Sequence, residues 1–364
     1  MKKNVSLFIL FRITAMILAV CLLPILTFGE TAGAEITEIR TVDDLPDWVS
    51  FLLICNAGMN NDKGNAGNTL LVVAMNPFQG KIRLMMFTWD TFIDYEGYDV
   101  PQKLDMPYRN NGPEEAMKVI NDNFNLGIRY YMSLNYLNLA NMIDDYGGIT
   151  VDVSRAERNA LNGMVASKKA RLQAEAGKGL LSQAVIDMLA QDYYLNNYGP
   201  ETHLNGLQAV GFGWLQYDSV YNCCEREVEV IASLFESVGT YVADRVAFYT
   251  DEDGYPENSA GRRAINLDHV TEDDYIFLRQ QMAPIFQMSV HNLSEDEIHA
   301  IALALAHVAY MASRQGVDIF DHLDHKILPI EATQPYDIVA GAKGHLVDKE
   351  ANTLAIQEFL FRED

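Results

Sequence analysis

The chain has 364 residues, 49% of them hydrophobic, and carries 27 basic against 50 acidic side chains, for a formal net charge of -23. That length suits one large domain or two modest ones, and the apolar share excludes wholesale disorder. The charge excludes a nucleic-acid binder, which needs a positive face to displace counterions from phosphates, and disfavours adhesion to anionic lipid heads. Four cysteines are too few for a disulfide framework at this length.

Lys2, Lys3 and Arg12 precede an apolar run from Ile13 to Phe28, and Ala32-Gly33-Ala34 follows as a small-x-small site suited to signal peptidase. The run is about 16 residues, short of the ~20 that span a bilayer. Residues 1–34 are therefore expected to be a signal peptide or a retained signal anchor. The body is expected outside the cytoplasmic membrane, touching it only through that segment.

Residues 48–364 are expected to form a single α/β domain, a mixed central sheet with helices on both faces. Ser50 to Cys55 is a solid apolar run, as in a strand buried on both sides. Thr69–Met75 and Lys81–Phe87 are two more strands, and Asn76-Pro77-Phe78-Gln79-Gly80 between them predicts a hairpin. Pro113 opens a helix whose apolar residues Met117, Ile120 and Phe124 recur at helical spacing, with Gly127 as its stop. Ile128, Tyr130, Met132 and Leu134 alternate as a strand; Tyr136–Asp145 is helical, closed by Gly147-Gly148; Ile149–Val153 is the next strand. Such alternation implies crossover connections within one sheet.

Residues 155–200 read as a helical insertion and 240–275 as an acidic surface excursion. Val228, Ile231 and Phe235 mark an amphipathic helix between them, and Ser294 with Glu297 makes a capping box before an apolar helix at 298–312. A short strand near Ile338 and Val339 and a helix from about Asp348 to Phe361 end the chain.

Several phrases carry a resemblance: Gly67-Asn68-Thr69, Thr88-Trp89-Asp90-Thr91, Lys103-Leu104-Asp105, Gly112-Pro113-Glu114, and Asp144-Asp145-Tyr146-Gly147-Gly148-Ile149-Thr150-Val151-Asp152-Val153. His203-Leu204-Asn205-Gly206-Leu207-Gln208-Ala209 and Cys223-Cys224-Glu225-Arg226 continue it. With them the chain resembles the LytR-CpsA-Psr family of exported envelope proteins. The resemblance implies a phosphotransferase that moves a glycopolymer from a polyprenyl-pyrophosphate carrier to peptidoglycan. Its partners would be a polyprenyl-linked glycan or peptidoglycan, and its cofactor magnesium. Arginines would grip the diphosphate, carboxylates a hard cation, and a long apolar pocket the lipid.

Against that pattern the site is depleted. The family's Arg-x-Asp-Thr reads Ala66-Gly67-Asn68-Thr69, and its Pro-Arg-Asp-Thr reads Thr88-Trp89-Asp90-Thr91. Its Arg-x-Arg aligns with Trp214 and Gln216, and its Arg-x-x-Arg with Cys223 and Arg226. Asp90, Lys103 and Arg226 remain, while five arginines and one aspartate are replaced; no arginine occurs from 172 to 225. The expected catalytic residues are Asp90 and Arg226, with Asp90 also the metal carboxylate. Lys103, Asn68, Trp89, Trp214 and Gln216 would bind ligand, and Met85, Phe87, Tyr130, Met132, Leu134 and Leu137 would line the lipid pocket.

Each has a plainer alternative. Asp90 could cap a turn, Lys103 could be solvated, and Arg226 could pair with Glu225 or Glu229 on its own helix. Arg226→Ala is expected to leave stability almost unchanged. The apolar set could be ordinary core. Asp321-His322-Leu323-Asp324-His325 reads as a solvated helix end, and adjoining Cys223-Cys224 as buried thiols. The preferred reading is a degenerate family member that binds an envelope glycan, a lipid-linked precursor or a partner. The alternative is a working transferase drawing on Arg109, Arg129 or the Arg262–Arg263 pair.

Overall fold

The computed structural model describes residues 47–56, 67–76, 78–176, 193–257, 259–299, 303, 307, 310–311, 323–329, 337–339 and 341–361. The expected signal segment 1–34 and the middle of the expected insertion lie outside them. Among the described residues no helix is long and apolar enough to cross a membrane.

The strands are β1 (Val49–Asn56), β2 (Gly67–Asn76), β3 (Lys81–Phe87), β4 (Thr91–Ile93), β5 (Gln102–Lys103), β6 (Tyr131–Asn135), β7 (Ile149–Val153), β8 (Gly199–Leu204), β9 (Val246–Tyr249), β10 (Arg263–Asn266), β11 (Val290–His291), β12 (Leu323–Leu328), β13 (Asp337–Val339) and β14 (Ala342–Leu346). The helices used below are α1 (Asp105–Asn111), α2 (Pro113–Phe124), α3 (Tyr136–Asp145), α4 (Arg155–Ala176), α5 (Gly206–Gly213), α6 (Val220–Ala243), α7 (Glu272–Gln281), α8 (Ala283–Met288) and α9 (Lys349–Phe361).

Six strands form the central sheet in the order β11-β6-β1-β2-β3-β12. The solid apolar runs of β1 to β3 are explained by burial on both faces. Because side chains alternate along a strand, Phe51, Leu53 and Cys55 fall in one core with Met132, Leu139 and Phe235. Leu52 and Ile54 fall in the opposite core with Phe87, Tyr108, Phe124 and Ile356. Thus α3, α5 and α6 cover one face and α1, α2 and α9 the other, the expected mixed sheet between helical layers.

The predicted β2–β3 hairpin forms, Leu70 pairing with Phe87 and Asn76 with Lys81. Other expectations change. Helix α2 stops at Asn125, in the left-handed region at φ 47, before Gly127 is reached. Strand β6 begins only at Tyr131, after the register expected from Ile128. Strand β7 leaves the central sheet and pairs antiparallel with β8. The expected acidic excursion is partly core: β9 and β10 pair in parallel within it, burying Val246 and Ile265 completely. Leu323–Leu328 is a strand paired with β3, where a helix end is expected for His325. The capping box before residue 298 forms, with Ser294 and Glu297 exchanging backbone-to-side-chain bonds of 2.6 and 3.3 Å.

Two of the phrases that carry the resemblance are packing devices. Asn205 caps α5 in a reciprocal box with Gln208. The next residue, Gly206, lies so close to α3 that an added Cβ would sit 1.8 Å from the Ala140 carbonyl oxygen. Its amide donates to Asp144 Oδ1 at 2.7 Å. The Gly206→Ala substitution is therefore expected to cost about 3 kcal/mol by forcing two backbones apart. A thermal midpoint equal to that of the parent would show that the α3–α5 contact is looser than this.

Candidate functional site

Strands β1, β3, β6 and β12 run in one direction, with β2 and β11 opposed. Their carboxyl ends share one edge, the usual location of ligand sites in open α/β sheets. That edge carries Asn56, the turn Thr88–Thr91, Asn135 and Leu328. Buried Asn56 Nδ2 donates to Tyr108 Oη at 2.9 Å and to the Leu134 carbonyl at 3.1 Å. Tyr108 Oη lies 2.9 Å from Ser133 Oγ, tying α1 to the sheet at this edge.

The centre of the edge is a carboxyl group absent from the expected set. Glu227 is 1% exposed. Its Oε2 accepts from Thr69 Oγ1 at 2.7 Å, and Thr69 accepts from Trp214 Nε1 at 3.0 Å. Cys223 Sγ lies 3.6 Å from Glu227 Oε1, and Cys55 stands opposite Thr69 in the β1–β2 register. Loss of water raises the Glu227 carboxyl to about 8, against which the Thr69 and Cys223 hydrogen bonds and the Arg226 charge act only partly. It is therefore mainly a neutral acid at pH 7. The same burial pushes the thiols of Cys55, Cys223 and Cys224 upward, so none is a thiolate nucleophile, and no disulfide joins them. A signal for Glu227 was present in the sequence: it falls at three-to-four spacing in the apolar stripe of Cys224, Val228 and Ile231.

Asp90 is 3% exposed and turned inward. Its Oδ1 has no hydrogen-bond partner among the described residues and lies 3.9 Å from His345 Nε2. Its carbonyl oxygen accepts from the His345 amide at 3.1 Å, and Gly344 approaches so closely that a Cβ would meet that oxygen at 2.2 Å. The turn is closed by Thr88 and Thr91, whose hydroxyls are 2.7 Å apart. The Asp90 backbone thus ties the strand β14 to the sheet edge, while its carboxylate makes no capping hydrogen bond among the described residues.

Arg226 is 4% exposed and already engaged. It grips Asp218 through two bonds of 2.9 Å, donates to the Leu215 carbonyl, and lies 3.5 Å from Glu157. The expected partners Glu225 and Glu229 form no ion pair with it among the described residues: Glu225 contacts His325 at 2.8 Å, and Glu229 accepts from the Asp152 amide at 3.1 Å. Both terminal nitrogens of the guanidinium are thus spent on partners within the chain, while its buried Nε has no hydrogen-bond partner among the described residues.

Lys103 and Trp89 are brought together, with Nζ 5.0 Å from the ring centroid. Both are half-buried. Lys103 also acts electrostatically on Asp105, the ion-pair partner of Arg109, whose side chain is 44% exposed. Burial raises the Asp105 carboxyl while Arg109 and Lys103 lower it. Of the arginines considered as substitutes, only Arg109 lies in this corner. Arg129 precedes β6, at the opposite end of the sheet from Asn135, and Arg263 is bound to Asp274 at 2.8 Å.

Trp214 is buried, its ring 4.3 Å from that of Tyr136, while Gln216 is exposed. Asn68 lies in β2, and its side chain is outside the description. The expected lipid-pocket residues do not share a cavity. Met85 belongs with Phe87 to one core, Met132 and Leu134 with Tyr130 to the other, and Leu137 is 45% exposed. The period of two along each strand, together with the pairing of β1 and β6, sends these side chains to opposite faces. No group of three or more His, Cys, Asp or Glu among the described residues could hold a metal. Asp90 offers one buried carboxylate, and its Oδ1 has no hydrogen-bond partner among the described residues; magnesium beside a diphosphate is held by one or two carboxylates, with water and phosphate oxygens filling its six positions, so Asp90 is the described residue that would hold it.

The LytR_cpsA_psr family profile matches residues 40–236. The polyisoprenyl-teichoic acid–peptidoglycan teichoic acid transferase TagU of Enterococcus faecalis is 29% identical over 85 residues, 23% of this chain and 28% of the relative. The TagU of Bacillus anthracis is 25% identical over 103 residues, 28% of this chain and 34% of the relative. The matched stretches thus span about a third or less of these relatives. The crystal structure of Bacillus subtilis TagV superposes with a TM-score of 0.52 at 13% identity, covering 86% of this chain and 98% of that one. That likeness shows the fold.

Proposed function

The chain belongs to the LytR_cpsA_psr family, and on that footing we propose that it is an exported envelope protein that binds a lipid-linked glycan precursor without transferring it. The observation that carries this reading is the state of Arg226. The guanidinium nearest the buried acid of the sheet edge is held by Asp218 and the Leu215 carbonyl, so most of its charge and its terminal donors are already matched within the chain and little of them is left to offset charge developing on a diphosphate. The acid beside it, Glu227, is mainly neutral and shut from solvent. What the corner does offer is Lys103 over the Trp89 ring, with Asp105 drawing on both Lys103 and the partly exposed Arg109. Such a grouping of cations and an aromatic ring suits holding a phosphorylated head group.

A second reading is favoured by the same corner. Lys103 and Arg109 could replace the missing arginines in a working transferase. The two readings part in one experiment, on the full chain in detergent with a polyprenyl-pyrophosphate-linked disaccharide and magnesium. The expected result is saturable binding, weakened at least tenfold by the double substitution Lys103→Gln and Arg109→Gln, with no release of lipid phosphate above a protein-free blank. Turnover abolished by Asp90→Ala would replace the first reading with the second. Absence of binding would sink both.

A further inference from the structure

We infer that the tip of the β4–β5 hairpin is a second ligand site, a cleft for a neutral saccharide. The choice of saccharide rests on the reading above that the protein handles envelope glycans; the geometry of the cleft does not.

Strands β4 and β5 pair at Phe92–Lys103 and Ile93–Gln102, so residues 94–101 are the hairpin's loop. A cleft of about 320 Å³ opens there, within the range of small-ligand sites. The chain turns from Tyr95 to Tyr98, closed by the Tyr98 amide on the Tyr95 carbonyl at 3.2 Å. Gly97, at φ +88, occupies the third position of that turn, where a positive φ favours glycine. The turn stacks the two rings, with centroids 5.3 Å apart and planes 20° apart.

The rings are held from behind. Asn111 donates to Tyr95 Oη at 2.9 Å and Asn110 to Tyr98 Oη at 3.4 Å, both from the end of α1. Tyr95 is 7% exposed and backs Tyr98, which is 46% exposed. An isolated surface tyrosine needs no explanation. A solvent-facing ring braced by a second ring and by two amides is a preorganised platform, which the apolar face of a sugar can cover at low entropic cost.

Four carboxylates, Asp94, Glu96, Asp99 and Asp122, outnumber the one cation, Lys349, among the residues lining the cleft. Asp94 is tied to Lys349 at 2.8 Å, and Glu96 and Asp122 share Lys118 at 3.4 and 3.7 Å. Asp99 is exposed and makes no hydrogen bond or ion pair among the described residues. Carboxylates on the rim accept from sugar hydroxyls and repel uronates and phosphates. The hairpin's other end carries Lys103 on Trp89. Trp89 and Tyr95 are six residues apart, at most ~20 Å along the chain, so one short oligosaccharide could reach from that pair to the cleft.

The test uses the full chain in detergent, titrated with the trimer of N-acetylglucosamine, with maltotriose, and with the trimer of galacturonic acid. Binding is read by saturation-transfer NMR. At least one neutral trimer is expected to bind, and the acidic trimer is not. Tyr98→Ala should raise the dissociation constant at least tenfold with the thermal midpoint unchanged, and Tyr98→Trp should restore binding. No binding of either neutral trimer, equal binding of the acidic one, or an unaltered constant in Tyr98→Ala would overturn the proposal. The lipid-linked precursor is titrated separately. Its loss with trimer binding kept removes the reading of the previous subsection and leaves the cleft standing; the reverse removes the cleft alone.

Discussion

Arg226→Ala is expected to destabilise the protein by about 3 kcal/mol, the loss that follows when one partner of a buried ion pair is removed. The side chain is 5% exposed and its principal partner Asp218 is 22% exposed. Removing it strands Asp218, leaves the Leu215 carbonyl without its donor and takes a cation from beside Glu157. Arg226→Lys should recover only part of the loss, because an ammonium is a point donor and cannot reproduce the two-pronged grip. Denaturant unfolding of the three proteins measures this directly. This reverses the expectation from sequence of an almost unchanged stability, because the side chain is buried and paired; an alanine variant within ~0.5 kcal/mol of the parent would restore that expectation. There is also a pH signature. The Arg226 hydrogen bond, with smaller help from Asn222, holds the Asp218 carboxyl below its usual range. The stability this gives is present at neutral pH and lost as the pH falls through the lowered value; the alanine variant should lack that portion of the acid limb.

The second large effect is expected at Glu227, with the opposite sign of pH dependence. An unfolded glutamate ionises near 4.5, whereas burial lifts the folded group to about 8. Between those values the folded state keeps a proton that the unfolded state releases. Stability must therefore fall as pH rises from about 4.5 to 8, by on the order of a few kcal/mol. Glu227→Gln keeps the shape and an acceptor for Thr69 but cannot ionise. It should flatten this part of the profile and be more stable than the parent at pH 8. Parallel profiles for the two proteins would mean that Glu227 is ionised at neutral pH, and the picture of a neutral acid at the sheet edge would have to be abandoned. The outcome bears on function, because a charged Glu227 would further oppose a diphosphate at this edge.

Local signals identified most of the scaffold because they are physically strong. The apolar runs of β1 to β3, proline at the start of α2, the helix Tyr136–Asp145 with its double glycine, and the serine–glutamate box before residue 298 each satisfy backbone groups or bury a face by short-range rules. The missed elements are short or lack periodicity: β4, β5, β12 and β14 span 3, 2, 6 and 5 residues; β12 and β14 become strands by pairing with segments distant in sequence, and β5 only as the second arm of a hairpin with β4. Periodicity also could not say that β7 leaves the main sheet for β8, since an alternating strand suits any partner.

The same division holds at the candidate site. Sequence by itself determined the family, the strongly acidic balance and the absence of arginine from 172 to 225, and it put forward Asp90, Lys103 and Arg226 as candidates. Only the tertiary structure decided what the candidates do. It closed Arg226 on Asp218, eight residues before it, turned Asp90 in against His345, separated Met85 and Phe87 from Met132 and Leu134 by a sheet, and sealed Glu227 under Trp214 and Thr69. A residue type fixes which charge and hydrogen bonds a side chain can bring. Whether that charge meets a ligand or a neighbour depends on desolvation and on partners that the chain supplies from elsewhere.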